Sequence, residues 1–219
     1  MPFVVVLDTC VLFPAHLRDT LLRLAEIELF VPVWSPHIVG ELERNLIEYR
    51  VAPIAVTRLT ALMTETFPDA SVTAYEDLIG SMTCHEKDRH VLAAAVRSGA
   101  SALVTFNLRD FPTKSTEQYE VDVVDPDDFL LDLLDLAPRA VLDELARQAA
   151  ANRRHPRTVA RVARRAFEVR SSAIRRRGPT TWIAIGPRRQ GSSLRFRGPW
   201  KNACSDRQVL SGAWRKPAT

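Results

Sequence analysis

Residues 3–10 read Phe3-Val4-Val5-Val6-Leu7-Asp8-Thr9-Cys10, five apolar β-formers closed by an acid. An unbroken apolar run of this length is the pattern of a parallel strand buried on both faces, not of a half-exposed strand that alternates. The next residues support that reading. Leu17–Leu29 places Leu21, Leu24 and Ala25 at helical spacing. Phe30–Trp34 is a second short apolar run, and Ser35-Pro36 after it supplies an N-cap and a proline suited to the first helical position. The helix so started runs to about Tyr49, with Ile38, Leu42, Leu46 and Tyr49 on one face.

A further helix is expected from about Val51 to Phe67, with Leu59, Leu62 and Met63 as a core stripe. Glu76–Ser81 carries no decisive pattern. Lys87–Ser98 is helical and stops at Gly99, a natural C-cap. Ala102–Thr105 and Val121–Val124 are strands, and Asp127–Leu136 and Arg139–Ala151 are helices by pattern. Strands alternating with helices imply an α/β fold: a mostly parallel sheet of four to five strands with helices on both faces. Ligands of such sheets bind beyond the carboxyl ends of the strands.

Charge divides the chain. Residues 1–150 hold 12 Lys+Arg and 24 Asp+Glu, a net of −12, whereas residues 151–219 hold 18 and 2, a net of +16; the sum is the overall +4. Among residues 153–219, only 11 of 67 are Leu, Ile, Val or Phe, too few for a packed core. Three segments are therefore expected: a domain over 1–151, a basic helical extension over 152–177, and an Arg/Gly/Pro/Ser-rich tail over 178–219. The tail composition suits an RNA-attracting appendage without regular structure, and equally a segment of a GC-rich gene read out of frame.

Several classes are excluded. The longest stretch without charge is Leu29–Gly40, twelve residues, against about 20 for a membrane-spanning helix. The N-terminus lacks the basic region of a signal peptide. Cys10, Cys84 and Cys204 are odd in number and widely spaced, so no disulfide framework is suggested and a cytoplasmic location fits.

The acids carry the chemical signal. Asp8 ends the first strand, Glu41 lies two turns into the Ser35-started helix, Asp88 begins a helix, and Asn107 and Asp110 follow the strand ending at Thr105. In a parallel sheet these positions gather at one end. Carboxylates so gathered repel one another, and a divalent cation with a preference for hard oxygen ligands, Mg²⁺ or Mn²⁺, relieves that repulsion. Taken singly, Asp88 is also explained by the helix dipole and Glu41 by a solvated helix face.

Four motifs in order resemble the PIN-domain ribonucleases, and among them the VapC-like toxin branch, over about residues 3–135. They are V-V-L-D-T-C-V-L from Val5, S-P-H-I-V-G-E-L-E-R-N-L from Ser35, E-K-D-R-H-V-L-A-A-A-V from Glu86, and L-V-T-F-N-L-R-D-F-P from Leu103. The resemblance implies a three-layer PIN-like sandwich that hydrolyses RNA phosphodiesters with Mg²⁺, or Mn²⁺ in its place. It implies Asp8, Glu41, Asp88 and Asp110 as catalytic residues, with Asp8, Asp88 and Asp110 holding the metal. Thr9, Thr105 and Asn107 would support them. Where many members have an acid after T-x, this chain has Asn107, and Asp110 looks like its replacement. His85, Arg89 and Arg109 are candidates for contact with RNA, and Lys87 adds positive charge. His90 is read as a capping or core histidine, Cys10 as packing, and Glu43 as pointing away. The toxin resemblance further implies a small antitoxin partner, with homodimers common in the family.

Other readings are weaker. Haloacid-dehalogenase-type phosphotransferases want D-x-D, but position 10 is Cys. A receiver domain wants paired acids and a late lysine, which are not evident. A non-catalytic binder would use the Arg-rich tail on phosphates and weaken steeply with salt.

Overall fold

The computed structural model describes residues 3–151. The expected extension (152–177) and tail (178–219) lie outside the described residues. Four parallel strands form the sheet: β1 (Val4–Leu7), β2 (Val31–Val33), β3 (Ala102–Val104) and β4 (Asp122–Val124), in the order β2-β1-β3-β4. β1 and β3 are central, and Val5, Val6, Leu7, Ala102, Leu103 and Val104 are fully buried, which is why both lack polar alternation.

The helices are α1 (Thr9–Leu12), α2 (Ala15–Glu26), α3 (Pro36–Glu48), α4 (Pro53–Thr66), α5 (Glu76–Ile79), α6 (Arg89–Ser98), α7 (Thr113–Thr116), α8 (Pro126–Leu136) and α9 (Pro138–Ala151). The expected start of α3 is seen in detail: Ser35 Oγ accepts from the Ile38 amide at 3.2 Å, with Pro36 opening the helix. Gly99 caps α6 at φ 62, a left-handed conformation that glycine tolerates best. α8 is likewise capped by Asp125, which accepts from the Asp127 amide at 2.9 Å.

α2 packs on β2 and α9, whereas α6 packs on β1 and β3. With right-handed crossovers, the chain leaving β1 for β2 and the chain returning from β2 to β3 cover opposite faces, giving helix, sheet and helix layers. Phe30 and Phe129 meet edge to face at 5.1 Å and tie α8 to the start of β2.

Two local expectations need correction. Leu62 is 57% exposed, because α4 buries only Val56 and Met63, seven residues apart on one stripe. Tyr49 is 55% exposed, since α3 ends at Glu48 before the apolar face returns to the core. The chain turns into α1 directly after Asp8, which places Cys10 in the first turn of that helix.

Candidate active site

Strand order reverses between β1 and β3: from β1 the chain goes first to β2 on one side, then to β3 on the other. The crevice at the carboxyl ends of these two strands is where open α/β sheets bind ligands. Asp8 leaves β1 there, its amide donating to Val104 O at 3.2 Å, and Thr105 leaves β3, its amide donating to Val124 O at 3.0 Å. Sheet register thus sets the two residues side by side.

The Asp8 carboxylate is 4% exposed and heavily bonded. Thr105 Oγ1 donates to its Oδ2 at 2.6 Å, and the Cys10 thiol donates to the same oxygen at 3.0 Å. The Asn107 amide donates to Thr105 Oγ1 at 3.0 Å, and the Phe106 amide to Cys10 Sγ at 3.3 Å. Burial pushes the Asp8 pKa up; bonds from Cys10, Thr105 and the Thr9 backbone pull against it, and the charge of Glu41 adds to the rise. Burial and the Asp8 charge also drive the Cys10 thiol well above its ordinary pKa. Cys10 is therefore not simply packing: it stays protonated and serves as a donor to Asp8.

Glu41 approaches from α3. Thr9 Oγ1 donates to Glu41 Oε2 at 2.9 Å and lies 3.2 Å from Ile38 O, so one hydroxyl ties α1 to α3. Glu43 points away and accepts from Thr60 at 2.9 Å.

Asp88 and Asp110 are joined through their loops. The His85 amide donates to Asp110 O, the Asp88 amide to His85 O and the Asp110 amide to Asn107 O, each at 2.9 Å. Asp88 ends a single 3₁₀ turn (Glu86–Asp88) and stands at the N-cap position of α6, at the helix start as expected, with no side-chain cap bond. Lys87 Nζ lies 2.9 Å from Asp110 Oδ2 and 3.7 Å from Asp88 Oδ2. Burial lifts the Asp88 pKa to about 7; Lys87 opposes the shift, while Asp8 and Asp110 reinforce it. Partial burial works against the Lys87 ammonium, but its bond to Asp110 and the charges of Asp88, Asp110 and Asp8 outweigh it, and its pKa is raised. One lysine thus feels three of the four acids. Two buried oxygens, Asp88 Oδ2 and Asn107 Oδ1, accept no hydrogen bond. Of the RNA-contact candidates, His85 and Arg109 are exposed, and Arg89 is half-buried.

A family model described as "PIN domain" matches residues 4–109, the segment that carries this sheet end. Residues 4–109 belong to the PIN-domain family. A second model, "VapC50 C-terminal domain", matches residues 126–165 and marks the chain as VapC-like. The chain is 54% identical over 66 residues to a Mycobacterium tuberculosis (strain ATCC 25618 / H37Rv) protein named "Putative ribonuclease VapC50". That match covers 30% of this chain and 39% of the relative's length. No solved structure gives a significant match.

In this PIN domain Asp8, Glu41, Asp88 and Asn107 fall inside the matched segment, and Asp110 lies one residue past its end. The structure also brings to the site residues that the sequence reading did not place there. Cys10 bonds Asp8; its position two residues after the acid was visible, but its direction follows from the turn into α1. His37 stacks on His90, ring centroids 3.9 Å apart and planes at 19°. His37 precedes Glu41 by four residues, one helical turn, a spacing present in the sequence. His90 is 6% exposed, and burial together with His37 lowers its pKa against the opposing pull of Glu41 and Asp8.

Proposed function

We propose that this PIN domain is a metal-dependent endoribonuclease and the toxin of a VapC-like toxin–antitoxin pair, acting in the cytoplasm. The observation that carries the proposal is the convergence of carboxylates at the sheet's switch point, with two buried oxygens, Asp88 Oδ2 and Asn107 Oδ1, that accept no hydrogen bond. Buried acceptors of this kind are uncommon unless a ligand completes them. Carboxylate and carboxamide oxygens are the hard donors that Mg²⁺ or Mn²⁺ prefers, so the residues present fit such an ion.

In this reading Asp8, Asp88 and Asp110 hold the metal, and Asn107 offers a carbonyl oxygen in place of the acid found in many relatives. A bound Mg²⁺ supplies a water of lowered pKa and positive charge against the phosphate. Asp8 is fixed for this role by Thr105 and Cys10, and Glu41 by Thr9. Glu41, half-exposed, binds the ion or orients the attacking water. The protonated Cys10 is no nucleophile, so water attacks the phosphorus and the ribose oxygen departs. His85, Arg89 and Arg109 meet the RNA phosphates at the rim. A small antitoxin covers this face, and a homodimer is the expected assembly.

Purified protein incubated with RNA and Mg²⁺ tests the proposal, beside Asp8→Asn and Asp88→Asn. Mg²⁺-dependent cleavage that both variants lose is expected; equal cleavage by the variants, or by wild type in chelator, refutes the mechanism. A short upstream reading frame for a DNA-binding protein that neutralises the activity on co-expression tests the toxin assignment separately.

A further inference from the structure

A second cluster of donors lies beside the acids. α3 carries His37 and Glu41 on one face, and the first turn of α6 brings His90 to the same point. One donor atom from each of the three lies within 4.8 Å of the other two. His90 Nε2 faces Glu41 Oε2 at 3.8 Å, too far for a hydrogen bond. It is buried and has no hydrogen-bond partner, on a side chain only 7% exposed. The packing of α6 holds this nitrogen at the cluster with nothing to satisfy it, and a buried polar atom in that state calls for an explanation.

We propose that His37, Glu41 and His90 form a binding site for a divalent first-row transition ion of the zinc class, distinct from the oxygen-lined Asp8–Asp88–Asp110 site. Two imidazole nitrogens and one carboxylate are the donor set such ions select, while Mg²⁺ selects oxygens. With Zn–N near 2.0–2.1 Å and Zn–O near 2.0–2.2 Å, donors around one ion sit roughly 3–3.5 Å apart. Closing the present spacing moves the His37 ring off its stack on His90. His37 is exposed, so its ring can leave that stack and turn toward the ion, and its side also leaves a path for the ion to enter. Three protein ligands leave at least one position open to water. Binding stands independently of the nuclease reading. One consequence does rest on it: Glu41 is common to both groups, so an ion here engages a carboxylate that cleavage requires.

Full-length protein without an affinity tag is titrated calorimetrically with ZnCl₂ in excess Mg²⁺, and the histidine ring resonances are followed by NMR. Wild type should bind Zn²⁺ with the His37 and His90 resonances shifting together. His37→Ala should bind at least about tenfold more weakly, the lower end of what losing even an indirect metal-supporting group costs. Asp88→Asn should keep the affinity. The proposal is overturned if wild type binds no Zn²⁺, if His37→Ala binds as wild type does, or if Asp88→Asn loses as much as His37→Ala. Should His37→Ala lose its native circular dichroism, the wild-type spectra decide: shifts confined to other histidines overturn the site. RNA cleavage is not a readout here, so a failed nuclease assay leaves the result intact.

Discussion

Replacing Asp88 with Asn should stabilise the metal-free protein at neutral pH while removing its proposed activity. Asp88 has a pKa of about 7 in the fold against 3.8 for an ordinary aspartate. An acid whose folded pKa is raised holds its proton more tightly in the fold. Its ionisation therefore costs nothing below about pH 4, costs progressively more from there to about pH 7, and costs a constant amount above. About three units at 1.36 kcal/mol each set a ceiling of roughly 4 kcal/mol. Solvent screens the charge through the half-exposed Lys87 above it, and Asn gives up the attraction to that lysine, so about 1–2 kcal/mol should be recovered. For a chain of this size that is a rise in Tm of roughly 2–8 °C. Thermal melts in chelator at pH 8 measure it. By pH 5 the gain should shrink by roughly half or more, because folded Asp88 is then mostly protonated in wild type. Added Mg²⁺ should raise the wild-type Tm and leave that of the variant nearly still. If Asp88→Asn is no more stable than wild type at pH 8 in chelator, or if its advantage grows with acidity, the account of the site's electrostatics is wrong.

Three further outcomes follow from the same geometry. Thr105→Val removes the 2.6 Å donation to a buried carboxylate and should cost about 1.5–3 kcal/mol in urea unfolding, the range for hydrogen bonds to charged groups; a loss below about 0.5 kcal/mol would show that Asp8 is satisfied otherwise. Gly99→Ala should cost about 1 kcal/mol through its φ of 62 alone, since a Cβ there meets no atom within 4 Å; an unchanged denaturation midpoint would contradict this. Cys10 should resist alkylation in the native protein at pH 7–8, because its thiol is held well above the ordinary pKa; rapid labelling of the Cys10 peptide, mapped by mass spectrometry, would show a reactive thiolate.

The elements were legible where local chemistry alone decides them. Phe3–Leu7 has no polar residue because β1 is buried on both faces; Ser35-Pro36 opens α3; Gly99 closes α6. The convergence of Asp8, Glu41, Asp88 and Asp110 was legible only through a parallel topology, since motif order places the acids at strand ends without giving strand neighbours. The misreadings lie where a side chain answers to a distant element. Leu62 fits a helical stripe, but the packing of α4 buries only its Val56–Met63 line. Cys10 meets Thr105 across 95 residues, and His37 meets His90 between α3 and α6, so neither contact could be read from spacing along one element.

The way the sheet end tolerates its acids bears on the departure at position 107. Asp8, Asp88 and Asp110 cannot all be ionised in a partly buried crevice without compensation. Three features supply it before any ion arrives. Asp88 keeps a proton up to about pH 7, Lys87 places its ammonium 2.9 Å from Asp110, and Asn107 contributes an acceptor without charge. An acid at 107 would add a negative charge two residues from Thr105, whose hydroxyl already serves Asp8, with Lys87 engaged by Asp110. The Asn therefore moderates the charge of the cluster while keeping a buried oxygen that accepts no hydrogen bond. A cation entering the crevice would have to displace the proton of Asp88 and the ammonium of Lys87 from Asp110, so its binding should release protons near neutrality.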